Sequence, residues 1–180
     1  MVAGTAAIYL LVLVLNEVLF TGSEYLRGAN WIYLPAGIRL LCTLLFGGAG
    51  ALGILIASWL ACFYYYFPDD FIRAAAGSAI SAGSPYLIYV LARRYSFLDA
   101  SLTKLTSSRL LICAGACAGA NALFHHLWLL FGEQDAHQKK ALVMLVGDMA
   151  GILIVLYAMK LVLSRMNARV NPARRNRHGR

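Results

Sequence analysis

The stretch Trp31-Ile32-Tyr33-Leu34-Pro35-Ala36-Gly37-Ile38-Arg39, followed by an apolar run to Phe46, decides how the chain reads. Aromatic residues stand at its mouth and a Pro-Ala-Gly step follows them. The pattern predicts a membrane-spanning helix entered through an aromatic belt. Arg39 then lies one turn inside. An arginine within an apolar span costs about 2.5 kcal/mol on insertion scales. It is kept where a counter-charge or water answers it.

The rest of the chain agrees with a bilayer setting. Of its 180 residues, 61% are hydrophobic and 13% charged, against about 25% charged in soluble domains. Several apolar runs approach the roughly 20 residues a spanning helix needs. The expected fold class is all-α, an integral membrane bundle of about six transmembrane helices over residues 1–164. Residues 165–180 are expected to form a basic, disordered tail. This composition leaves no separate soluble domain and disfavours an ordinary soluble enzyme. The first apolar run lacks a basic leading segment and a clean A-x-A cleavage pattern, so it reads as a permanent helix.

The expected spans are residues 5–22, 31–46, 51–67, 71–92, 109–131 and 139–163. Gly47, Gly48 and Gly50 predict a very short turn between the second and third. Pro68-Asp69-Asp70 ends the third and offers an N-cap to the fourth. The fourth, with Arg73, Gly77, Ser78, Ser81, Gly83, Ser84 and Pro85, reads either as a kinked span or as an interfacial turn before a half-helix.

Loop charge tests the count. With six spans, Arg93, Arg94, Lys104 and Arg109 share a side with the arginine tail. Glu24, Asp69, Asp70, Glu133 and Asp135 fall on the other. The positive-inside bias then predicts cytoplasmic termini. The tail's expected partner is anionic lipid, at about 1 kcal/mol per basic residue. Nucleic-acid binding is not expected, because no folded reader accompanies the tail.

The intramembrane polar residues are Asn16, Glu17, Arg39, Asn121, His125, His126 and Asp148. A rise of about 1.5 Å per residue puts Glu17 about 8 Å, Arg39 about 12 Å, His125 about 9 Å, Asn121 about 15 Å and Asp148 about 13 Å below the outer surface. All fall in the outer half. Arg39 is positive, whereas Glu17 and Asp148 are negative, and buried charges need partners. Two outcomes stay open: an ion-pair network that fixes helix register, or a site for a ligand, ion or proton. Arginine forks suit carboxylates and phosphates, so an anionic ligand is one of the options.

Cys113, Cys117, Asn121 and His125 follow at i, i+4 on one helix face. The set extends over about 18 Å, too long for one metal ion. No metal or cofactor is expected. Asn121 and His125 are expected to face the polar pocket, with the cysteines packed below. All four cysteines, Cys42 and Cys62 included, read as small packing residues. Gly115-x-x-x-Gly119 and Gly147-x-x-x-Gly151 predict that the fifth and sixth spans touch through these small residues. Trp31, Trp59, Trp128 and Tyr64-Tyr65-Tyr66 form an expected outer aromatic belt.

Two motifs carry a family resemblance. Trp31 with Pro35-Ala36-Gly37 opening a span, and Gly147-Asp148-Met149-Ala150-Gly151 inside a late one, resemble the bacterial membrane-associated sensor domain of the first type. The resemblance implies an integral-membrane input module in the bacterial inner membrane, and adds Trp31, Pro35, Gly37 and Gly151 to the candidate ligand-binding residues Glu17, Arg39, Asn121, His125 and Asp148. Such domains usually have about eight spans and precede a cyclase or kinase, neither of which this sequence contains. Signal transduction is therefore expected through another membrane protein. The architecture is also similar to the substrate-capturing subunits of energy-coupling-factor transporters. The expected function is a sensor-like binding module, with a transporter subunit as the second reading. An intramembrane enzyme using His125 or a carboxylate as base is the third.

Overall fold

The computed structural model describes residues 1–26, 28–98, 106–131 and 138–170. It is an all-α bundle of six helices with one small hairpin. The helices are α1 (Val2–Leu19), α2 (Pro35–Phe46), α3 (Gly48–Ala61), α4 (Phe71–Arg94), α5 (Ser107–Phe131) and α6 (Gln138–Val170). Strands β1 (Glu24–Leu26) and β2 (Ala29–Asn30) pair antiparallel between α1 and α2. Lys104, Glu133, Asp135 and Arg174, Arg175, Arg177 and Arg180 of the tail lie outside the described residues. The expectations resting on them concern those positions alone.

Among the described residues, five helices are long and apolar enough to cross a bilayer: α1, α3 with its extension to Tyr66, α4, α5 and α6. Their outward faces are apolar, with Leu11, Val18, Ile112 and Val162 among the exposed side chains. A water-soluble surface rarely presents apolar area on this scale. The expectation of a second full span needs correction. α2 has 12 residues, about 18 Å of helix, because Trp31 to Leu34 are non-helical.

Among the described residues three clusters of buried residues form the core; α2 belongs to the two larger ones, and Ala29, Ala122, Val143 and Met144 form the third. Cys42 of α2 packs with Tyr9 and Leu13 of α1 and with Ile54 and Ala57 of α3. Ala36, Leu40 and Leu44 pack with Cys113, Ala114, Cys117 and Ala118 of α5 and Ile152 of α6. All four cysteines are free and buried.

Local signals explain most helix boundaries. Gly47 separates α2 from α3 as a single residue at φ 55°, a conformation that costs glycine little. The Asp70 side chain accepts from the Arg73 N–H at 2.9 Å and caps α4, as the Pro-Asp-Asp break predicts. α4 continues through Pro85 as one helix to Arg94. The half-helix alternative is thereby removed. Ser84 Oγ donates to the Ile80 carbonyl at 2.8 Å in the turn beside the proline. Residues Cys62–Tyr66 form a π-helical turn after α3, closed by Phe67 N–H to the Cys62 carbonyl at 2.8 Å. α6 continues to Val170, beyond the expected span.

Candidate functional site

The site begins where residues 30–34 lie against α6. A Cβ on Gly147 would overlap the Asn30 carbonyl, and one on Gly151 would overlap that of Tyr33. Glycine at both positions lets backbone rest directly on the helix. The Tyr33 N–H donates to the Gly147 carbonyl at 3.1 Å. From the other side, the Asn16 side chain of α1 accepts from the Leu34 N–H at 2.8 Å. Pro35 then opens α2 with its ring buried, where a missing N–H costs nothing. A Cβ on Gly37 would sit 2.5 Å from Val155 Cβ, so this glycine admits α6.

These constraints bring Arg39 beside Asp148, the neighbour of Gly147. Arg39 Nη2 lies 3.0 Å from each Asp148 carboxylate oxygen. Arg39 Nη1 donates to Asn121 Oδ1 at 3.5 Å, and Asn121 Nδ2 donates to Asp148 Oδ2 at 2.7 Å. One residue from each of α2, α5 and α6 closes a triangle. Arg39 is 2% exposed and Asp148 4%. The guanidinium also sits 5.4 Å from the centre of the Tyr33 ring, near enough for cation–π attraction. Tyr33 Oη is 3.3 Å from Tyr9 Oη. Arg39 Nε is buried and has no hydrogen-bond partner among the described residues.

The triangle forms part of the wall of a cavity of about 80 Å³. His125, Arg73, Lys140, Tyr66 and Trp128 contribute to its lining, as do Gly28, Ala29 and Asn30 of the hairpin. The π-helical turn carries Tyr66 into this lining, and π-turns recur where a helix must re-aim a side chain. Arg73 comes from the first turn of α4 and Lys140 from the first turn of α6. Both starts lie at the hairpin end of the bundle, the end expected to face outward.

The predicted residues divide clearly. Arg39, Asn121, His125 and Asp148 line the cavity together. Cys113 and Cys117 pack below in the core, as their helical spacing implies. Glu17 lies apart from Arg39. It accepts from Tyr65 Oη and Tyr66 Oη at 3.2 Å each and borders a separate, largely apolar groove beside α1. Trp31 is 44% exposed and stands edge-on to Tyr25. Pro35, Gly37 and Gly151 shape the packing of α2 and α6 without lining the cavity. The glycine expectation changes too. α5 and α6 do pack together, but Gly147 and Gly151 face residues 30–34, while Gly115 and Gly119 meet nothing within 4 Å.

Arg73 and Lys140 also line the cavity, although neither is among the residues the sequence pattern predicts for the site. Each is a basic residue in the first turn of a helix whose start lies at the acidic-loop end, and that coincidence was the available signal. Chemically the cavity is rich in donors. Asp148 accepts from both Arg39 and Asn121, so much of its acceptor capacity is already engaged. The arrangement suits binding of a polar solute better than proton abstraction by this carboxylate. No protein-family model, curated protein or solved structure matches the chain.

Proposed function

We propose that the chain is an integral membrane, sensor-like binding module of the bacterial inner membrane, with its pocket in the outer half of the bundle. The observation that carries this reading is the position of Asp148 on α6. Asp148 belongs to the buried triangle at the cavity, and the same helix continues without a break to Val170. About 33 Å of helix therefore joins the cavity to the opposite end of the bundle. The described side chains from Tyr157 to Met166 are exposed on every face. A ligand that shifts Asp148 can move the far end of this helix, which is how an input module would pass on its signal.

Both termini are cytoplasmic in this proposal. Arg93, Arg94 and Arg109 then lie inside, while Glu24, Asp69 and Asp70 lie outside. The arginines after Ser164 bind anionic lipid, and the moving end of α6 addresses a partner in the membrane. The resemblance to membrane-associated sensor domains rests on the Trp31/Pro35-Ala36-Gly37 and Gly147-to-Gly151 motifs.

The test uses the full chain in proteoliposomes, with a spin label at Met166→Cys after replacement of the native cysteines. A panel of small solutes is screened by thermal shift. A solute that binds should change the label's mobility and should not accumulate in the vesicles. Accumulation driven by an ATP-dependent partner would instead establish the capture subunit of a transporter. Binding without any change at the label would remove the sensor reading.

A further inference from the structure

The cavity's charge is unbalanced. Among its described lining residues, Arg39, Arg73 and Lys140 are cationic and Asp148 is the carboxylate. Asp148 is matched to Arg39, and this is the ion pair formed among the described residues. Arg73 and Lys140 therefore set the field that a solute meets. The Arg73 guanidinium lies 4.4 Å from the centre of the Phe67 ring, a contact that orders the side chain without cancelling its charge. Like charges held around a partly dehydrated space repel each other, and an anion between them relieves this repulsion.

A further observation concerns size. The cavity volume of about 80 Å³ is far below the roughly 300 Å³ at which pockets for drug-sized ligands begin. It holds a solute of a few heavy atoms.

We propose that the ligand is a small, freely soluble oxyanion, a carboxylate or an inorganic oxyanion, held between Arg73 and Lys140 with Arg39 behind it. This rests on the pocket reading above and names its ligand class. Arg39, already shared with Asp148 and Asn121, fixes the wall, while the two outer cations supply affinity. The surplus of positive charge disfavours cations, and the small volume disfavours large apolar amphiphiles.

The experiment uses the full chain in neutral detergent at constant ionic strength. Sodium acetate, sodium nitrate, sodium phosphate and choline chloride are each titrated against a sodium chloride reference, with melting temperature and calorimetric affinity as readouts. At least one oxyanion should raise the melting temperature saturably. Arg73→Gln and Lys140→Gln should each weaken its affinity about tenfold or more. Without the anion, both variants should melt no lower than the parent, because each removes repulsion. A saturable response to choline alone, or an oxyanion response unchanged in both variants, overturns the anion assignment and leaves a pocket in place. A response that appears in phosphatidylglycerol nanodiscs but with no soluble oxyanion overturns it in favour of a lipid headgroup. If no solute of either charge binds in detergent or in nanodiscs, both the anion and the pocket reading fall.

Discussion

Arg39 Nη2 reaches both carboxylate oxygens of Asp148 at 3.0 Å, across a sequence separation of 109 residues. Both side chains are nearly sealed from solvent. Removing one partner strands a buried charge, so Arg39→Ala and Asp148→Ala should each destabilise the bundle by about 3–5 kcal/mol. Arg39→Met with Asp148→Leu should recover most of that loss. The check is a double-mutant cycle on unfolding in mild detergent, where a coupling energy near zero would contradict the pairing.

The glycines of α5 and α6 should behave oppositely. Gly147→Ala and Gly151→Ala drive a methyl group into the Asn30 and Tyr33 carbonyls. Each should cost about 2–3 kcal/mol or more, since backbone has little freedom to retreat. Gly115→Ala and Gly119→Ala meet open space and should be neutral or gain up to about 1 kcal/mol from helix propensity. Melting temperatures of the four variants decide the matter.

Asn16 is fully buried, and its side-chain oxygen takes the Leu34 N–H at 2.8 Å. Asn16→Leu leaves that donor unpaired at the entrance to α2. The expected loss is about 1–3 kcal/mol, accompanied by faster hydrogen exchange at Leu34. Unchanged exchange at that amide would show that the contact does not hold α2 in place.

Glu17, one residue further along α1, bonds Tyr65 and Tyr66 instead. Glu17→Gln should therefore leave the Arg39–Asp148 coupling energy unaltered within about 0.5 kcal/mol. A larger change would place Glu17 in the network after all.

Sidedness can be read with single cysteines. The four native cysteines are buried and should be silent to charged maleimides. In intact spheroplasts, Ser23→Cys should be labelled from outside, whereas Ser96→Cys should react only after the membrane is opened. The reverse pattern would invert the proposed topology.

Charge made a buried acidic partner for Arg39 legible in the sequence, with Glu17 and Asp148 as the candidates. A guanidinium in an apolar run must find an acid, and the acids at matching depth were few. Depth along a helix was legible because rise per residue is fixed; direction around the helix was not. Asn16 and Glu17 share a depth but point about 100° apart, so one enters the core and the other meets the tyrosines. The shortness of α2 was hidden because Trp31 to Leu34 are as apolar as a helix would be. Only the absent Cβ atoms of Gly147 and Gly151 record that backbone lies there. Arg73 and Lys140 looked like ordinary span boundaries, since a linear sequence does not show that two helix starts border one hollow.

A 12-residue α2 leaves roughly 12 Å of a 30 Å hydrocarbon layer without helix at that place in the bundle. Exposed strands and turns are not tolerated in lipid, so on the proposed topology the hairpin and residues 31–34 belong against protein or at the water interface, where Tyr25 and Trp31 are exposed. On the proposed reading of the cavity, a solute arriving from the water passes this short stretch of chain and need not part the long helices. Exchange should accordingly run at the nanosecond-to-microsecond pace of loop motion, ahead of the slower rearrangements of packed helices.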